Sequence, residues 1–163
     1  MKTEKTAKDF IIEGLLMLMA KKPYGDITIT EIAERAGVNR VTFYRIFNTK
    51  DEVVEAHLTR CDELYNQTKP QSSEQNGLYQ VFKYFEGNRK TIELLYKSGA
   101  EQLLLRHILN GWHYTETTDN LAAYIQSAWA HFIVGWAKEW YRRGMKETPE
   151  ELLELAKNLN LQG

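Results

Sequence analysis

Polar capping residues recur along the chain at intervals of one helix length, and apolar positions between them fall three or four apart. Alternating strand patterns flanked by turn dipeptides are scarce, so the spacing predicts an all-α chain. Thr6 with Asp9 opens a first helix whose stripe is Phe10, Ile11, Gly14, Leu15 and Leu18, and "KKPYGD" breaks it at Pro23 and Gly25. Thr28 and Glu31 form a capping box for a second helix ending near Gly37. Asn39 caps a third, and Thr49 with Glu52 a fourth. A short helix, a glycine-bearing turn and another short helix make a helix-turn-helix pattern.

The fourth helix runs through "DEVVEAHLTRCDELYNQ" and gives way to "TKPQSSEQNG", a polar, breaker-rich stretch that marks a boundary. The resulting division is 1–50 for the helix-turn-helix domain, 51–69 for a connecting helix and linker, and 70–163 for a second helical domain. Beyond the boundary lie an apolar run containing "LYQVFKYF", a helix opening at Asn88 and one capped by Ser98 and Glu101. A long helix follows over about 118–143, and a last one opens where Thr148 caps, Pro149 takes the first position and Glu151 completes the box.

Composition adjusts this picture in three ways. At 163 residues and 43% hydrophobic, the chain can bury a substantial core. No apolar run approaches the roughly 20 residues of a membrane span, and "MKTEKTAKDF" lacks the apolar region of a signal peptide, so a cytoplasmic location is expected. The single cysteine, Cys61, excludes an intrachain disulfide and fits a reducing compartment. The net charge of −1 argues against a nonspecific nucleic-acid binder, yet residues 1–50 carry +3 and the remainder −4. That asymmetry confines any polyanion partner to the N-terminal end.

Within the helix-turn-helix, Ile32, Ala33, Val38, Phe43 and Phe47 form the apolar face that seats the third helix, leaving Arg40, Val41, Thr42, Tyr44 and Arg45 on the other side. Arginine reads guanine edges bidentately, hydroxyls bond phosphate oxygens, and a small apolar residue touches a thymine methyl. Lys50 and the amides opening the fourth helix lie where an anion is stabilised by the helix dipole. "NRVTFYRIFNTKDEV" and the spaced Thr28, Ile32-Ala33, Ala36-Gly37-Val38 that precede it resemble the DNA-binding domain of TetR-family transcriptional regulators, in their short forms. The resemblance covers about residues 8–58 and implies DNA contacts by Thr28, Arg40, Val41, Thr42, Tyr44, Arg45 and Lys50. Ile46 and Val41 depart from the histidine and the small residue that members often carry there, which bears on the base sequence read. The partner implied is double-stranded DNA with a palindromic operator, the function that of a repressor released by a small-molecule effector.

The C-terminal half resembles that family's ligand-binding and dimerisation domain more loosely, through "IVGWAKEWYRRGM" followed by "TPEELLELAKNL". Ile125, Trp129, Phe132, Trp136 and Trp140 make a bulky stripe on one helix, and Leu152, Leu155, Ala156 and Leu159 one on the next. So many aromatics exceed what a thin domain covers alone, which predicts a homodimer through Trp129, Trp136, Trp140, Leu152 and Leu155. Phe82, Phe85, His107, Trp112 and Phe132 are candidate pocket residues for the effector. The histidines lack zinc-pair spacing, so no metal and no cofactor are expected. There is no G-x-S-x-G, P-loop or dinucleotide fingerprint, and no enzyme activity is expected. The alternative is a helical interaction or small-molecule-binding module without DNA regulation, which would have no use for a cationic, hydroxyl-bearing third helix.

Overall fold

A computed structural model describes residues 5–68, 77–111 and 119–158. Among them the chain forms nine α-helices and no strand, and no helix is long and apolar enough to cross a membrane. The first four are α1 (Ala7–Met19), α2 (Ile29–Arg35), α3 (Arg40–Ile46) and α4 (Lys50–Thr68). A single 3₁₀ turn at Tyr24–Asp26 leads into α2. The remaining five are α5 (Gly77–Gly87), α6 (Arg89–Ser98), α7 (Glu101–Gly111), α8 (Asn120–Arg142) and α9 (Pro149–Lys157).

Local chemistry explains most helix starts. Thr6, Thr28 and Thr148 each accept an amide hydrogen bond three residues on, and Asp9, Glu31 and Glu151 return the bond to the cap amide. Asn39 Oδ1 accepts from the Thr42 amide at 2.8 Å and opens α3. At α4 the expected box is rearranged: Thr49 Oγ1 accepts from the Glu52 amide, but the Glu52 carboxylate takes the Asn48 amide at 2.8 Å. Ser98 does not cap α7, because its hydroxyl turns back to donate to the Leu95 carbonyl while Gly99 and Ala100 intervene in the chain. The long helix begins two residues later than the estimate of 118, capped by Asp119.

One glycine in the turn and one in α1 set how the first helices meet. Gly37 has φ of 68°, and the amides of Val38 and Gly37 close on the Ala33 and Glu34 carbonyls, a Schellman stop that only a left-handed residue permits cheaply. Gly14 lets α1 approach this corner: a Cβ there would stand 3.2 Å from the Ala36 amide nitrogen and 3.3 Å from the Ile32 carbonyl oxygen. Ile11, Leu15, Ile32, Phe43, Val53 and Leu58 are wholly or almost wholly buried around it. Phe10, counted in the α1 stripe, is instead 44% exposed, because it sits about 100° round the helix from Ile11.

The N-terminal bundle is not separate from the rest. α1 packs on α6 as well as on α2 and α4, and α4 packs on α7. The second half is built around Phe82, Phe85, Ile92, Leu95, Leu104, Ile133, Ala137 and Trp140. The proposed boundary near residue 70 lies outside the described residues.

Candidate nucleic-acid interface and its anchoring

α3 divides into two faces as its sequence requires. Phe43 is fully buried and Phe47, at its end, nearly so, their rings 6.2 Å apart. Arg40, Val41, Tyr44 and Arg45 are exposed, Val41 by 79% and Tyr44 by 47%, and Thr42 is half-buried. The Arg40 guanidinium lies 5.9 Å from the Tyr44 ring, and that ring stands edge-on to Phe43 at 5.6 Å, so the two side chains are held beside one another on the outer face. Thr28 is also exposed, at the N-terminus of α2, its hydroxyl held by the Glu31 carboxylate. Lys22, first, and Thr28 push the Glu31 carboxyl down to about 2.

Lys50 behaves differently from the other six. It is half-buried, and its ammonium donates to the carbonyl oxygens of Tyr24 at 2.7 Å, Ile27 at 2.8 Å and Gly25 at 3.3 Å, while lying 4.4 Å from the Tyr24 ring centre. Three donors meet three acceptors, so the group ties α4 to the turn before α2 and has no donor left over for a phosphate. Tyr24 in turn donates its hydroxyl to Asp51, and Asp51 accepts from Arg106 of α7 at 3.0 Å. The half-exposed Asp51 carboxyl is held below the usual range: burial opposes this, and the Tyr24 and Arg106 hydrogen bonds outweigh it.

A second link lies further along α4. His107 of α7 bonds Glu55 through Nδ1 and Asp62 through Nε2, both at 2.8 Å. Burial disfavours its charge, but the Asp62 and Glu55 hydrogen bonds prevail and raise its pKa, and with a carboxylate oxygen 2.8 Å from each ring nitrogen the geometry favours the imidazolium, which donates to both. Tyr24, Asp51, Arg106, Glu55 and Asp62 were not singled out in the sequence, since their pairings span 27 to 55 residues and no local spacing announces them.

The candidate pocket residues disperse. Phe85 and His107 line a cavity of about 330 Å³ between α4, α5, α7 and α8. Phe82 and Phe132 instead stack on Trp136, with ring centres 5.3 and 5.4 Å away, and Trp112 lies outside the described residues. The candidate dimer residues also divide. Trp129 is 43% and Leu155 51% exposed, and Trp136 is half-buried, whereas Trp140 and Leu152 are buried inside the subunit. Trp140 stacks on Phe85 and donates its indole N–H to the Glu147 carbonyl. It is buried because α5 covers it through Phe85, whereas among the described residues nothing covers Trp129 to the same degree.

Comparisons with known proteins agree with this architecture. The family described as "Bacterial regulatory proteins, tetR family" matches residues 11–57, and that described as "Transcriptional regulator C-terminal region" matches residues 72–162. No curated protein matches by sequence. Among solved structures, Lin0861 from Listeria innocua superposes with a TM-score of 0.73 at 18% identity, covering 98% of this chain and 94% of that one. The fatty acid degradation regulator FadR from Bacillus halodurans gives 0.55 at 20% identity, covering 99% and 98%. NalD, the secondary repressor of the MexAB-OprM multidrug efflux pump in Pseudomonas aeruginosa, gives 0.55 at 17% identity, covering 91% and 93%. At these identities the superpositions speak to the fold, and the two family matches to descent: the chain belongs to the TetR family of transcriptional regulators.

Proposed function

We propose that this regulator is a homodimeric, cytoplasmic repressor that places two copies of α3 in the major grooves of a palindromic operator and is released by a small-molecule effector. The observation that carries the reading is the outer face of α3, where Arg40, Val41, Tyr44 and Arg45 are exposed together on a helix locked from behind by Phe43 and Phe47. In this assignment Arg40 and Val41 read base edges, and Thr28, Thr42, Tyr44 and Arg45 hold phosphates. Lys50 positions the turn ahead of α2 through its three carbonyl acceptors.

The dimer rests on the outer side of α8, where Leu121, Tyr124, Ile125 and Trp129 are all exposed, continued by Leu155 on α9. A run of large apolar side chains of this kind is costly in water and marks an interaction surface. The repressor reading also draws on FadR, a fatty acid degradation regulator, and NalD, a repressor, which share this fold. Selection of bound sequences from a random duplex pool tests the whole proposal. Enriched inverted repeats with half-sites about 34–36 Å apart, or a multiple, are expected. Recovery of unenriched DNA would overturn it.

A further inference from the structure

We propose that the cavity between α4, α5, α7 and α8 is the effector site and takes a small organic cation, an amine or quaternary ammonium with an apolar body, with Asp62 as its counter-ion. This rests on the reading that an effector binds the C-terminal half. The cavity, about 330 Å³, is walled by Val81, Phe85, Leu104, Ile108 and Ile133, and among the described residues no Lys or Arg lines it. Its volume lies at the lower end of the range for small-molecule sites.

Charge decides the class of ligand. Among the described residues, the ionisable groups facing the space are Asp62 and Tyr65 from α4, Tyr84 from α5 and His107 from α7, with α8 contributing none. His107 is shared between Asp62 and Glu55, so one imidazolium serves two carboxylates and the cluster keeps a net negative charge. Asp62 is 41% exposed in its side chain and so has room for a second partner. Lys83, near Tyr65, is already paired with Glu86. A fatty acid or other anion entering here would meet Asp62, with no unshared cation among the described residues to receive it. Glu55, Asp62 and His107 are not a metal site either, since no group of three among the described residues is arranged to hold one.

The aromatic lining favours the same class of ligand. Tyr84 borders the cavity, and its hydroxyl, sealed from solvent, interacts with the Asp62 carboxylate. Burial first, and then the Asp62 charge and hydrogen bond, push its pKa far up, so it stays neutral and adds no positive charge to the site. Its ring stands edge-on to Tyr65 at 5.4 Å, and two aromatic walls favour a cation over a neutral body of the same shape.

Calorimetry on the full chain with three probes of nearly equal size tests the assignment: phenethylamine, 2-phenylethanol and 3-phenylpropanoate. The amine is expected to bind about tenfold or more tightly than the alcohol, and the carboxylate least. Asp62→Asn should bring the amine to the level of the alcohol while circular dichroism shows an intact helical fold. Ile108→Trp, which fills the space without touching a charge, should abolish binding of all three, and serves alone if Asp62→Asn fails to fold. Tighter binding of the carboxylate, no binding of any probe at millimolar concentration, or amine binding that survives Ile108→Trp would overturn the proposal. A chain that selects an operator but ignores the amine loses the cation assignment and remains a regulator; one that binds the amine but selects no DNA keeps this site and loses the regulator reading.

Discussion

Lys50→Met separates two roles for one side chain that the sequence alone assigns to DNA. Its ammonium makes two short bonds to the Tyr24 and Ile27 carbonyls in partly buried positions, and one longer bond to Gly25 in an exposed one. Charge-assisted bonds of this kind are worth about 1.5–3 kcal/mol each, but water reaches part of the site and Met keeps most of the apolar stem, so the net loss should be about 2–3 kcal/mol. Loss of the Tyr24 ring contact adds about 0.5–1 kcal/mol. For a chain of this length that corresponds to a fall in Tm of roughly 5–15 °C. Operator affinity should fall as well, because the turn before Thr28 loses its tether. The decisive readout is the slope of log affinity against log salt, measured by fluorescence anisotropy over a salt series. A phosphate contact removed would flatten it by about one unit, whereas a lost tether leaves the number of neutralised phosphates unchanged. An unchanged Tm together with a slope reduced by one would refute the argument.

Three further outcomes are expected. Arg40→Ala should cost about 1–3 kcal/mol of operator affinity and relax preference at one base position per half-site, read by competition with singly substituted operators. Trp129→Glu combined with Leu155→Glu, both exposed in the subunit, should give a folded monomer by analytical ultracentrifugation, and a persisting dimer would move the interface elsewhere. His107 has a folded-state pKa raised above its unfolded value of about 6.5, so the stability it contributes is complete below that pH and is lost as pH rises through the folded value. Urea titrations should therefore show stability declining on the alkaline side, and His107→Gln should remove that slope.

What was legible in the sequence is what is local. Thr6 with Asp9, Thr28 with Glu31 and Thr148 with Glu151 cap helices through contacts three residues apart, and the two faces of α3 follow from seven consecutive positions. The failures have the opposite character. Trp140 fits a stripe counted in threes and fours, but Phe85 of α5 covers it and the Glu147 carbonyl takes its indole N–H, and no spacing along α8 announces either partner. Ser98 has the right spacing to Glu101 for a cap, yet its hydroxyl found the nearer Leu95 carbonyl. Lys50 looked like a cation free for DNA because its acceptors are backbone carbonyls 23 to 26 residues earlier, and a carbonyl has no identity in a sequence.

The same long-range bonds indicate how an effector would reach the DNA. α7 grips α4 at Asp51, through Arg106, and at Glu55 and Asp62, through His107. Asp51 and Asp62 are eleven residues apart, about 16 Å along the helix, with the cavity at the far end and the Tyr24 turn at the near one. A ligand moves such an equilibrium only by the difference in its affinity for the two arrangements. In the proposed reading that difference is local: a cation that claims Asp62 competes with His107, and the charge-assisted bond at stake is comparable to the about 1–3 kcal/mol of typical allosteric coupling. A shift of α4 at Asp62 would be carried by a continuous helix to Lys50, whose ammonium holds the three carbonyls immediately before Thr28. The recognition helix itself need not deform, because Phe43 and Phe47 fix it to α1 and α2, and moving the bundle as a unit is enough to change the separation of two α3 helices across a dimer.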